Sequence, residues 1–172
     1  MRSALALVAV LVTVLPGFAG RDFDATPNDF RCLTDGKPVP GKHFYISNKS
    51  RRLLRKAVRI SKKGKEGLHY PVGTVLQVFP SEAMVKRAKG FNPEGDDWEF
   101  FQIKPSADGS TIVSRGKAEV KNFIGSCQGC HMTVAPKYDA VCEFVIGASG
   151  LGLTDEQIAA RQAADPRCSP KP

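Results

Sequence analysis

Apolar and polar positions divide the chain into short strand-like stretches and three stretches of helical period. His43 to Ser47 and Thr74 to Phe79 are rich in branched and aromatic residues, as sheet strands are. Trp98 to Lys104 puts Trp98 and Phe100 on one face and Phe101 and Ile103 on the other, which predicts a strand covered on both sides. Asp108-Gly109 is a hairpin signal leading into Ser110 to Ser114. Leu54, Ala57 and Val58 recur at helical spacing within Lys49 to Lys65, a basic amphipathic helix with Asn48 as its cap and Gly64 as its stop. Val120, Phe123, Ile124, Cys127 and His131 follow the same period and predict a second helix from Lys117 to His131. A capping box, Thr154-Asp155-Glu156-Gln157, opens a third helix running through Ala164. Between these, Pro80 to Lys89 reads as a short helix or ordered loop carrying Met84, and Gly90 to Asp97 as a loop. Pro27, Gly36, Pro38 and Gly41 mark residues 20–41 as an extended lead-in. The sum is α+β, a mainly antiparallel β-sheet with about three helices, in one domain over residues 42–172.

The N-terminus changes the setting. Met1-Arg2, the apolar run Ala4 to Leu15 and the breaker Pro16-Gly17-Phe18-Ala19 have the layout of a secretory signal peptide over residues 1–19. The run is too short to span a bilayer comfortably, so no membrane association is expected after cleavage. The net charge is +8, and removal of Arg2 with the leader leaves 24 Lys+Arg against 17 Asp+Glu. Such a surface suits an anionic partner, and export argues against nucleic acid as that partner. Five cysteines in a disulfide-permissive compartment leave an odd number unless some serve other chemistry.

Cys127-Gln128-Gly129-Cys130-His131 supplies that chemistry. A Cys-x-x-Cys-His run attaches c-type haem. Two thiols a helical turn apart form thioethers with the vinyl groups, and the adjacent imidazole reaches the iron. A redox dithiol would want a strand before it and a compact α/β unit around it, and neither is evident in the sequence. A structural zinc site would want a second ligand pair at matching spacing, which Cys142 and Cys168 do not provide. His131 is the expected proximal ligand, and its other ring nitrogen needs an acceptor that the sequence does not identify. Met132 is held on the proximal side, which leaves Met84 as the thioether able to approach the opposite face. His43 and His69 are further candidates, and an open or Phe-capped iron is the other arrangement. A His/Met iron suits electron transfer.

The ordered set of these elements resembles the cytochrome P-460 and cytochrome c′-beta family of periplasmic monohaem proteins. The resemblance spans about Lys42 to Phe144. It rests on Phe44-Tyr45-Ile46, Tyr70-Pro71-Val72-Gly73-Thr74-Val75, Asp97-Trp98-Glu99-Phe100-Phe101, the haem run, and Tyr138-Asp139-Ala140-Val141. It implies a homodimer with one haem c, bound through two thioethers and a His ligand. The P-460 branch oxidises hydroxylamine and cross-links a Lys to the haem; here Val78 or Phe79 stands at that place, and Lys42 is a weak match for a distal Arg. The c′-beta branch caps the iron with an apolar residue and binds nitric oxide, a role that Phe79 can mimic.

The expected function is therefore a periplasmic monohaem cytochrome that transfers electrons or binds a small nitrogen oxide. The alternatives are a hydroxylamine-oxidising enzyme and, remotely, a haem-free dithiol oxidoreductase. The basic helix suits docking to an acidic redox partner, or else forms a solvated face. Cys142 and Cys168 are the expected disulfide, with Cys32 spare or competing. Glu94, Asp96, Asp97 and Glu99 form an acidic cluster, read as a solvated loop ahead of a proton relay or metal site.

Overall fold

The computed structural model describes residues 21–122, 124–147 and 149–168. The leader expected over residues 1–19, and Phe123, lie outside the described residues. Six strands form one antiparallel sheet in chain order: β1 (Lys37–Pro38), β2 (Tyr45–Ser47), β3 (Val75–Gln77), β4 (Glu82–Lys86), β5 (Trp98–Ser106) and β6 (Gly109–Gly116). Helix α1 (Arg51–Lys63) connects β2 to β3. A hairpin of β7 (Lys121–Asn122) and β8 (Gly125–Ser126) leads into α2 (Cys127–Val134), followed by the short α3 (Glu143–Ile146) and by α4 (Asp155–Ala163). This is the α+β, mainly antiparallel architecture that the sequence pattern predicts. No helix among the described residues is long and apolar enough to cross a membrane.

Strand register builds the core. Ile46 pairs with Leu76, Leu76 with Met84, and Met84 with Phe100, a row of four buried side chains on one face of the sheet. Trp98, Tyr70, Val120, Ala140 and Val141 belong to the same cluster, and Leu54, Val58 and Ile60 of α1 pack against it. Each fully buried side chain of this size contributes about 1.5–3 kcal/mol. Helix α1 is tied to the same layer by Ser61, whose hydroxyl donates to the Ala57 carbonyl and meets the buried Tyr70 hydroxyl at 2.6 Å. Gly64 ends α1 in the left-handed conformation, as expected, while Ser50 rather than Asn48 caps its start.

The opposite face of the sheet carries Val75, Val85, Phe101 and Ile103, so β5 is covered on both sides as predicted. The cover comes from residues 21–41. These are packed onto the sheet through Ala25 and Phe30, with the Phe30 ring 4.9 Å from Phe101. Asp22 and Asp24 then meet Arg87 and Arg115, and both guanidiniums grip the buried Glu99 carboxylate.

Three expectations are corrected. The stretch expected as a helix or loop around Met84 is strand β4. Ala83, Met84 and Val85 are buried in succession because both faces are covered, so no alternation is visible. The helix expected over Lys117 to His131 begins only at Cys127. Gly125 takes φ +135°, and the Asn122 Oδ1 accepts from the backbone N–H groups of Ile124 and Gly125, which closes a turn and leaves Ile124 exposed. The disulfide joins Cys32 to Cys168, not Cys142 to Cys168, and Cys142 is free. The Asp165 carboxylate accepts from Leu33 N–H at 3.0 Å and Arg167 donates to the Phe30 carbonyl at 3.1 Å, which brings Cys168 to Cys32.

Two outcomes follow from this frame. A non-reducing digest is expected to yield a Cys32–Cys168 cross-linked peptide. Cys32→Ser should lower unfolding free energy by about 3–5 kcal/mol for a loop this long, whereas Cys142→Ala leaves the cross-link in place. Hydrogen bonding to Arg87, opposed by some burial, holds the Asp22 carboxyl down at about 2. Because the folded pKa is depressed, its stabilisation is complete above the ordinary carboxyl range and is lost as pH falls towards 2. Asp22→Asn should thus cost up to about 1 kcal/mol at pH 6 and only a small part of that near pH 2, as read by urea denaturation at the two pH values.

Candidate functional site

Helix α2 carries the Cys-x-x-Cys-His run from its first residue. Ser126 caps it, its hydroxyl accepting from Gly129 N–H at 3.2 Å. At 3.6 residues per turn, Cys127, Cys130 and His131 fall within about 100° of the helix circumference. Gln128 turns inward instead. It is buried, and its side-chain oxygen accepts from Asn92 Nδ2 at 2.9 Å, while Asn92 also donates to the Trp98 carbonyl at 2.7 Å. The helix is thereby fixed to the loop before β5.

Both thiols are free, Cys130 exposed and Cys127 half-buried. Burial pushes the Cys127 thiol up, and the nearby Glu82 carboxylate adds to this. A third free thiol, Cys142, precedes α3; burial, reinforced by Cys130, pushes it up to about 12. The His131 ring lies 5.3 Å from the Phe100 ring. Its Nδ1 is 2.6 Å from the Ala140 carbonyl oxygen. A carbonyl only accepts, so Nδ1 carries the proton and Nε2 keeps its lone pair. Burial pulls the His131 pKa down, which favours this neutral ring. Two reduced thiols on one helical turn, beside a neutral imidazole with Nε2 available, are the donor set that a covalently attached haem requires, so the residues present fit that group.

Met84 lies in β4 directly opposite Phe100, on the same sheet face as the Phe100–His131 contact. Val78 packs against that cluster together with Cys127 and Met132. Phe79 instead sits beneath the Arg161 guanidinium of α4, 5.7 Å from its ring centre. His43 is engaged by carboxylates at both ring nitrogens, Glu143 at 3.0 Å and Asp155 at 3.4 Å. His69 meets Asp139 at 3.3 Å. Lys42 donates to the Glu143 carbonyl and lies over the Phe144 ring. The acidic cluster is divided: Glu99 is buried between arginines, and Asp97 accepts from the N–H groups of Gly90 and Asn92. Burial pushes the Asp96 carboxyl up.

The sequence reading missed the Ala140 carbonyl, Phe100 as the ring against His131, and Glu82 beside Cys127. Thiol labelling provides a check. In haem-free protein, iodoacetamide should modify Cys130 first and Cys142 last, with roughly a tenfold or greater separation that denaturant abolishes, as followed by peptide mass spectrometry.

No protein-family model, no curated protein and no solved structure matches the chain.

Proposed function

We propose that the chain is an exported, periplasmic monohaem c-type cytochrome that carries single electrons or binds a small nitrogen oxide. The observation that carries this reading is the free Cys127/Cys130 pair on one helical turn, beside a His131 ring whose Nδ1 proton is held by the Ala140 carbonyl. Haem, when bound, supplies a one-electron iron couple and a coordination position. Cys127 and Cys130 would hold it through two thioethers, for which both thiols must be reduced. His131 offers Nε2, and the Ala140 carbonyl fixes its tautomer and orientation. Phe100 and Met132 contribute apolar surface beside it.

The thiols argue against dithiol redox chemistry. A reactive Cys-x-x-Cys pair lowers the pKa of its first thiol and exposes it, whereas Cys127 is half-buried and pushed up. Hydroxylamine oxidation of the P-460 type uses a Lys where Val78 or Phe79 stands here, so electron carriage or ligand binding is preferred. Met84 would be the thioether candidate of this reading; it pairs with Phe100, whose ring contacts His131.

The partner is proposed to be an acidic redox protein. Arg51, Arg52, Arg55, Lys56, Arg59, Lys62 and Lys63 are exposed on α1 and span an arc of about 140°. An arc of one sign steers an oppositely charged protein towards it. A homodimer would cover exposed apolar residues such as Val113 and Ile124.

Protein expressed with periplasmic export is expected to give an alkaline pyridine haemochrome of c type. Cys127→Ala and Cys130→Ala should each shift it towards the spectrum of a single thioether, and the double variant should lose covalent haem. A sulfur-to-iron charge-transfer band that disappears in Met84→Ala identifies electron carriage. A high-spin iron indifferent to Met84→Ala identifies the ligand-binding form, and absence of any c-type haemochrome overturns the proposal.

A further inference from the structure

We infer that Asp139 is a positioning residue for His131: with Lys86 it holds a left-handed turn that presents the Ala140 carbonyl to the imidazole, and so tunes the iron that His131 would ligate. The inference rests on the haem reading for its redox consequence and on the structure alone for the turn. The Asp139 side chain is fully buried and forms an ion pair with Lys86, whose side chain is itself 8% exposed. Its second oxygen accepts from Tyr70 N–H at 2.7 Å, and its backbone carbonyl accepts from Trp98 Nε1 at 2.8 Å. Residue 139 is thus gripped from β4, from β5 and from the turn before β3.

That grip has a task. Asp139 takes φ +53° and Ala140 takes φ +60°, consecutive left-handed conformations at residues other than glycine. An alanine rarely adopts this conformation, because its Cβ crowds the neighbouring carbonyl. The turn is therefore held by its surroundings rather than by its own preference. Ala140 N–H is bound to the Ala135 carbonyl at 3.0 Å, which leaves the Ala140 carbonyl facing His131 at 2.6 Å, shorter than the usual N–H···O distance. A strong hydrogen bond at Nδ1 makes Nε2 a better electron donor, which favours the ferric over the ferrous iron. Among the described residues the route from the Lys86–Asp139 pair to the His131 ring runs through the Ala140 carbonyl, one residue on from Asp139.

The test compares the full-length haem protein with Asp139→Asn, Asp139→Glu, Ala140→Gly and the combined Asp139→Asn/Ala140→Gly variant. Glycine adopts φ +60° without crowding, so it relieves the need for the clamp. Asp139→Asn and Asp139→Glu are expected to raise the midpoint reduction potential with both thioethers intact, and adding Ala140→Gly to Asp139→Asn should return it towards the parent value. An unchanged potential, or a rise that Ala140→Gly does not relieve, overturns the inference. Asp139→Glu keeps the charge and guards against loss of the fold. A second readout needs no haem: in Cys127→Ala/Cys130→Ala protein the His131 Nδ1 proton should exchange slowly with solvent in a 1H–15N spectrum, and about tenfold faster or more when Asp139 is replaced. If that acceleration is seen while no haem is ever attached, the cofactor reading fails and the turn stands. If haem is attached and exchange is unaffected, the positioning role fails.

Discussion

The buried contact between the Lys86 ammonium and the Asp139 carboxylate is the constraint on which the rest of the structure leans. Removing either partner alone would leave a charge in the apolar core, at a cost of several kcal/mol. The two residues come from distant parts of the chain, β4 and the segment after α2. Their pairing tells that segment where to lie. Trp98 and Tyr70, both in the larger core, add their polar N–H groups to the same residue. Polar satisfaction and apolar packing therefore specify one arrangement at the same place.

The sheet contributes in a different way. The row Ile46, Leu76, Met84 and Phe100 is a straight line of cross-strand neighbours, and its end lies under the His131 ring. A row of this kind resists sliding, because a one-residue slip in any strand would exchange the side chains of its two faces, each fitted to a different cluster. The platform beneath the imidazole thus has its position fixed by register, and the carbonyl beside it by the turn. Neither depends on the exposed loops.

Much of this was legible from sequence, for identifiable reasons. β5 shows its two covered faces because nine residues give the pattern room to repeat. α1 shows its polar arc because no acid interrupts the cations. β4 does not show itself, since only Ala83, Met84 and Val85 are apolar in it and all three are buried. Lys86 looks like a surface residue until Asp139 is placed opposite. The apolar residues before Cys127 imitate helical spacing but belong partly to a hairpin, a distinction carried by the backbone at Gly125. The donor set at Cys127, Cys130 and His131 is local and therefore readable. The groups that orient it, a backbone carbonyl and a carboxylate held from three directions, exist only once distant elements meet. Disulfide choice is non-local in the same sense, and the odd thiol proved to be Cys142 rather than Cys32.

The Cys32–Cys168 bond, with a sequence separation of 136, closes the chain between these residues into a covalent ring. Among the described residues, all eight strands and all four α-helices lie within that ring. One cut by a protease at an exposed loop within it opens the ring without releasing a fragment, so the nicked molecule, heavier only by the one water consumed, stays in one covalent piece and its two new ends remain free to re-dock. Damage tolerance of this sort comes from connectivity alone, and it disappears on reduction.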